Sequence, residues 1–355
     1  MSGPGLPRIS VVIPCFNYER YVALAIDSVL QQSYEPKEIL VINDGSTDGS
    51  SAVLDRYAGR VRVIEQENRG HVRSCERGLD ETSGEIVVFL DADDLLLPGS
   101  LQAIATAWEP ACTKVQYDVS IIDAAGTDLG RRFCNFDQGF DKERVRRSFS
   151  ETGTYRWPVT VGNAYSRWFL EQVFPLTVDI APDGLLNTVA PVYGEVVTIP
   201  RVFGCYRIHG ANGWSSDGMD NTRLPRRIRH RQKEVAIMRE HAALRGVTVP
   251  DGDVLDHELP FLNYRLMAFK LGLEYDGKGD DSVAALLRRA LSQVGREALP
   301  LRMALTHAAW FLAFSATPAA LAPHLIRLRF NRSALLAPLR KMFPSVRVTP
   351  ETHGV

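Results

Sequence analysis

Four short apolar runs fix what the first hundred residues can become. Residues 8–14, 38–42, 61–65 and 86–90 are rich in Val, Ile and Leu, the composition of strands buried on both faces. Between them lie stretches with helical spacing. Residues 21–30 place Val22, Ala25, Ile26 and Val29 on one face. A second helix is expected from Asp48, as its N-cap, to Tyr57, and a third over 71–79. Strands alternating with helices of this length imply a parallel sheet with right-handed crossovers. In such sheets ligands bind outside the carboxyl ends of the strands. Three polar clusters fall there: residues 16–18, 43–48 and 91–94.

The third cluster, Asp91-Ala92-Asp93-Asp94, closes the run 86–90. Asp is a poor strand former, so the cluster has one of two explanations. Its carboxylates take a divalent cation, or they fold a turn and cap the helix after Pro98. The ligand expected of such a sheet is a nucleotide. No Gly-x-Gly-x-x-Gly follows the first strand, and no phosphate loop ending in Gly-Lys-Ser/Thr occurs.

Ser10-Val-Val-Ile-Pro-Cys-Phe-Asn17, Val41-Ile-Asn-Asp-Gly-Ser-Thr-Asp48, Asn68-Arg-Gly70 and Phe89-Leu-Asp-Ala-Asp-Asp94 together resemble the family 2 glycosyltransferases. The resemblance covers roughly residues 8–210. It implies the GT-A fold, a mixed and mainly parallel α/β sheet flanked by helices. It also implies transfer of a sugar from a nucleotide-sugar donor, usually with inversion, assisted by Mn²⁺ or Mg²⁺. Residue by residue, it implies that Pro14, Phe16 and Asn17 hold the donor base and that Asp44 bonds the base or ribose. Asp91 then faces the ribose, Asp93 binds the metal, and Asp94 holds the turn. One departure stands out: where the family carries Arg-Asn, this chain has Cys75-Glu76. Either Arg73 or Arg77 reaches round from the same helix to take over that arginine's donor contact, or the contact is lost.

The following segment reads as a helix at 101–108, strands at 115–122 and 129–133, and helices at 141–149 and 167–173. Trp157 precedes the last, placed either against an acceptor sugar or in the core. Inverting transfer needs a base for the acceptor hydroxyl. The resemblance assigns it to Asp183, which could equally cap the helix 184–192; Asp179 is the second choice. Strands are expected at 196–199 and 202–208. They end in Tyr206-Arg-Ile-His209, where the resemblance makes His209 a metal ligand. A Gly- and Ser-rich loop with Trp214 follows, expected to close over the donor.

Composition separates the two ends of the chain. Residues 1–219 hold 20 Lys+Arg against 29 Asp+Glu, and residues 220–355 hold 21 against 13. With a total of −1, nucleic acid is not an expected partner. The basic end is expected to be a helical appendage (220–355) to the catalytic domain (1–219). Arg223, Arg226, Arg227, Arg229 and Arg231 form either a solvated face or a phosphate strip. Residues 303–326 carry no Lys, Arg, Asp or Glu but are broken by Pro318 and Pro323. They suit a helix lying on an anionic membrane; a buried hairpin or a contact between two copies is the alternative. Five scattered cysteines without a Cys-x-x-Cys pair fit a reduced, cytoplasmic chain, and the 303–326 helix would hold it peripherally at the inner face of the plasma membrane.

The function expected is therefore an inverting, metal-dependent glycosyltransferase acting on a glycan or lipid-linked acceptor in cell-surface polysaccharide synthesis. A silent nucleotide-sugar-binding protein and a sugar nucleotidyltransferase are the other two readings.

Overall fold

The computed structural model describes residues 6–35, 37–178, 181–209, 223–296 and 299–330 of the 355-residue chain. Two compact units emerge: Met1–Arg207 with Ile237–Val249, and Ile208–Ala236 with Pro250–Val355. The expected boundary at residue 219 lies outside the described residues, as do Asp179 and Trp214.

The first unit alternates as the apolar runs require. It begins β1 (Ile9–Cys15), α1 (Val22–Leu30), β2 (Lys37–Asp44), α2 (Ser50–Asp55), β3 (Arg62–Gln66), α3 (His71–Asp80) and β4 (Ile86–Phe89). It continues β5 (Leu95–Leu96), α4 (Ser100–Ala107), β6 (Cys112–Ile122), β7 (Asp128–Arg132) and α5 (Lys142–Thr152). Then come β8 (Asn163–Ser166), α6 (Arg167–Val173), α7 (Pro182–Tyr193) and β9 (Glu195–Arg207). The sheet order is β3-β2-β1-β4-β8-β6-β9-β5, with β7 on β6. Strands β3, β2, β1 and β4 are parallel neighbours, so their carboxyl ends share one edge. β8 runs antiparallel between β4 and β6, and β6 pairs parallel with β9.

Every residue of β1 is buried, which is why its sequence is continuous rather than alternating. Helix α3 lies hard against it: a Cβ at Gly78 would stand 2.2 Å from Val12 Cγ1. Only glycine lets the helix backbone approach the strand this closely.

Four elements differ from the sequence reading. The strands expected at 196–199 and 202–208 are one strand, β9. Ile199 pairs with Tyr117 and Val202 with Asp118, so Pro200 and Arg201 bulge from the ladder without ending it. β5 and β8 were not foreseen, being two and four residues long. Asp48 is not the N-cap of α2, which is Gly49; the Asp48 carboxylate instead accepts from Ser50 N at 2.9 Å and Glu19 N at 3.1 Å, tying the loops after β1 and β2.

Helix α8 (Leu224–Arg245) runs through both units. In the second unit, α9 (Leu259–Lys270), α10 (Val283–Arg296), α11 (Leu301–Ala316) and α12 (Ala322–Phe330) enclose an apolar core. Leu262, Leu266, Leu286, Phe311 and Phe314 are its centre. The arginine cluster divides: Arg223, Arg226 and Arg229 are exposed, as a solvated face requires, whereas the other two turn inward. Arg231 is buried, donating to Glu258 at 2.5 Å and Glu234 at 3.0 Å, and buried Arg227 donates to the Tyr264 hydroxyl at 3.1 Å. A guanidinium taken out of water needs such fixed acceptors. Helix α11 buries His307, Phe311 and Phe314 yet exposes Leu301 (75%), Leu305 (61%) and Leu312 (50%). Those leucines fall within one stripe at helical spacing. Among the described residues no helix is long and apolar enough to cross a membrane.

Candidate active site

The three polar clusters meet along the shared edge. After β1, Asn17 takes a left-handed conformation (φ 60°), and its side-chain oxygen accepts from Thr47 N at 2.7 Å. Its own N–H donates to Ser46 Oγ at 3.0 Å. Asn17 thus ties the first loop to the second, a role beyond the expected base contact. Pro14 is buried inside β1, beside Ile42. Phe16 is 42% exposed, so it is no core aromatic.

Asp44 ends β2 and is nearly buried. Its Oδ1 accepts from Gln66 Nε2 at 2.7 Å and Arg69 N at 2.8 Å, and its Oδ2 accepts from Gly70 N at 2.8 Å. The carboxylate therefore folds the 68–70 turn, whose Gly70 at φ 86° starts α3. A ligand can share only the acceptor capacity that remains on it.

The acidic turn after β4 separates into three environments. Asp91 Oδ1 accepts from His71 Nε2 at 2.9 Å. Burial alone would raise the Asp91 carboxyl; His71 and a hydrogen bond from Thr160 bring it below its usual range. Burial likewise pulls His71 down, while Cys75 and Asp91 hold it well above its usual value. Because burial also raises the Cys75 thiol, the charge that matters to His71 is the Asp91 carboxylate. Asp93 is nearly buried on the same turn. Asp94 is fully buried, and burial, then Asp93 and Asp91, push its carboxyl well above the usual range. It does not cap α4, whose N-cap is Gly99.

Arg207, the last residue of β9, holds this turn. Its backbone N–H donates to Asp94 Oδ1 at 2.8 Å, its Nε to Asp93 O at 2.7 Å and its Nη1 to Asp123 O at 3.3 Å. Its guanidinium also lies 4.9 Å from the Tyr21 ring centre. The phenol of Tyr206 is raised by burial and then by Asp94, Asp93, Asp91 and Asp183. That one side chain therefore feels both the acidic turn and the expected base.

Asp183 sits in the first turn of α7, inside the helix; the N-cap is Ala181. An acid there is favoured by the helix dipole without being a cap. One turn on, Asn187 is anchored by a fully buried lysine absent from the sequence reading: Lys114 Nζ donates to Asn187 Oδ1 at 2.5 Å. Burial pulls that amine well below its usual range. Tyr165 donates to the same oxygen at 3.1 Å, and Tyr155 donates to Asn187 O at 2.8 Å.

Arg73 Nη1 meets Glu76 at 2.6 Å and Arg77 Nη2 meets Glu81, the C-cap of α3, at 2.6 Å. The inward face carries Val72, Ser74, Cys75, Gly78 and Leu79. Residues 73 and 77 lie about 200° round the helix from 71 and 75 respectively, whereas 71 and 75 share a stripe. That spacing was readable in the sequence, and it points to His71. Trp157 is half-buried, and His209 follows β9 by two residues.

Residues 10–172 match the model of Glycosyl transferase family 2. An uncharacterized glycosyltransferase of Nostoc sp. is 34% identical over 59% of this chain and 67% of its own length. The putative glycosyltransferase EpsH of Bacillus subtilis is 34% identical over 38% of this chain and 35% of its own. The chain thus spans two thirds of the first relative and about a third of the second. Among solved structures, S. aureus TarS 1-349 in complex with UDP-GlcNAc superposes with a TM-score of 0.52 at 14% identity, over 87% of this chain and 90% of that one. A mannosyltransferase of Pyrobaculum calidifontis in complex with GDP-Man and Mn²⁺ gives 0.50 at 19% identity, over 96% and 88%.

Sheet, edge and acidic turn together define a GT-A glycosyltransferase. The chain belongs to glycosyl transferase family 2.

Proposed function

We propose that this enzyme moves a sugar from a nucleoside-diphosphate-sugar to a hydroxyl of a glycan or lipid-linked acceptor, with inversion, in cell-surface polysaccharide synthesis. The convergence of Asp44, Asp91 and Asp93 on one parallel-sheet edge carries the reading. Phe16, Pro14 and Asn17 shape the base site, and Asp44 and Asp91 face the nucleoside. Asp183 takes the proton of the acceptor hydroxyl as that oxygen attacks the anomeric carbon and the nucleoside diphosphate leaves.

Mn²⁺ or Mg²⁺ fits such a site. Among the described residues no group of three His, Cys, Asp or Glu could hold an ion alone. These cations, however, need only one or two carboxylates when donor phosphates complete the shell. Asp93 is the ligand in this reading; when bound, the cation neutralises the departing diphosphate.

The second unit adds a place of action. The exposed leucine stripe of α11, with Arg302 at its start and Arg327 and Arg329 on α12, suits docking on an anionic membrane. In this reading the enzyme works in the cytoplasm, at the inner face of the plasma membrane. A second copy of the chain is the other occupant that stripe would accept.

The test is donor hydrolysis across UDP-, GDP- and dTDP-sugars, with and without Mn²⁺. Metal-dependent release of nucleoside diphosphate from at least one donor is expected. No hydrolysis of any, together with no metal-dependent nucleotide binding, overturns the proposal.

A further inference from the structure

We propose that His71 is a donor-binding residue: beside Asp91 it presents the cationic N–H that the donor's nucleoside diphosphate meets, on the stripe of α3 where Cys75 offers none. This rests on the reading of the edge as a nucleotide-sugar site.

Four observations carry it. First, the His71 ring is fixed from both ends. Its backbone starts α3 immediately after Gly70, whose N–H is bound by Asp44 at 2.8 Å, and its Nε2 meets Asp91 at 2.9 Å. A continuous hydrogen-bonded path thus links the end of β2 to the end of β4 through this residue. Second, the ring is not sealed in: its side chain is 32% exposed and that of Asp91 28%. Third, Nε2 is occupied, and among the described residues Nδ1 has no hydrogen-bond partner. A protonated imidazole with one nitrogen on a carboxylate directs its other N–H at whatever enters the site. Fourth, the alternatives on this helix are committed elsewhere. Arg73 and Arg77 form ion pairs with Glu76 and Glu81, and the Cys75 sulfur lies 3.9 Å from His71 Nε2.

The geometry also explains why a short side chain stands at 75. Cys75 is fully buried, one turn from His71 on the same stripe. A long cationic side chain there would have to run through the volume the imidazole fills. The two positions therefore exclude each other, with the cation placed at one or the other.

The experiment is calorimetric binding of UDP, GDP and dTDP in the presence of Mn²⁺ to the wild type, His71→Ala, His71→Gln, the double variant His71→Ala/Cys75→Arg, and Asp93→Asn as a control. Melting temperatures are read in parallel. The expected result is binding weakened about ten- to a hundred-fold in His71→Ala, the scale of a lost charge-assisted hydrogen bond, and largely regained in the double variant. His71→Gln keeps an N–H for Asp91 without the charge. If His71→Ala folds poorly, a normally melting His71→Gln that binds about ten-fold more weakly supports the proposal. Unchanged nucleotide binding in a folded His71→Ala or His71→Gln overturns it. If Asp93→Asn abolishes metal-dependent binding while the His71 variants bind normally, this inference alone falls. If the wild type binds none of the three nucleotides, the reading of the site falls and takes the inference with it.

Discussion

Arg207 donates from its backbone to the Asp94 carboxylate at 2.8 Å and from Nε to the carbonyl of Asp93 at 2.7 Å. The last residue of β9 thereby sets the conformation of a turn more than a hundred positions earlier. Arg207→Ala keeps the backbone bond and loses the guanidinium contacts with Asp93, Asp123 and Tyr21. Removing a buried charge-assisted donor of this kind costs about 2–4 kcal/mol. A lowered melting temperature is expected, with weakened nucleotide binding in the fraction that stays folded. Arg207→Lys should not restore it, because a single ammonium cannot serve the two carbonyls that the fork reaches.

Asp183→Asn is nearly isosteric and leaves the first turn of α7 in place. It should preserve nucleotide affinity and lower transfer by about 10²–10⁴-fold, the usual contribution of a general base. Single-turnover transfer, once a donor and acceptor are in hand, reads this directly. Transfer at the wild-type rate would move the base to another residue. Lys114→Met should act on the same step less directly, by loosening Asn187 one turn along the helix.

The pH behaviour of the second unit follows from His307. It is buried in the helical core, and burial, reinforced by Arg329, lowers it to about 4 from an ordinary 6.5. The unfolded chain therefore binds a proton more readily than the folded one between those values. Stability is complete above about pH 6.5 and falls as pH drops toward 4, by up to about 3 kcal/mol. Melting curves from pH 7 to 4.5 should show this loss, and His307→Leu should flatten it.

The leucine stripe of α11 gives a binding prediction. Leu305→Asp/Leu312→Asp should leave the core residues Phe311 and Phe314 untouched and abolish sedimentation with vesicles containing anionic lipid. Unchanged vesicle binding would remove the membrane from the proposal, and a shift from dimer to monomer in gel filtration would assign the stripe to a second copy.

Much of the catalytic half was legible because its information is local. The buried runs of β1, β2 and β4 and the acids that end them lie within single short segments, so periodicity and residue type were enough. β5 was not legible: Leu95–Leu96 is a strand only because Cys205 and Gly204 pair with it. Arg231 read as surface charge because its acceptor Glu258 lies 27 residues further on, beyond any local pattern. Lys114 was hidden in the same way, in a strand whose partner Asn187 comes 73 residues later. His71 is the instructive case. Arg73 and Arg77 have the right charge at the wrong angle, since helical spacing sets 71 and 75, not 73 or 77, on one stripe.

Gly78 has a reach beyond its own contact. The helix it presses onto Val12 begins two turns earlier, about 10 Å along the axis, at His71. A methyl group at 78 would act as a wedge, tilting α3 away from β1 and lifting the imidazole off Asp91. A substitution that touches no ligand would thus be felt at the donor as a loss of grip, transmitted by a rigid rod. The close approach of Gly78 to Val12 is in this sense also the fulcrum of the pocket.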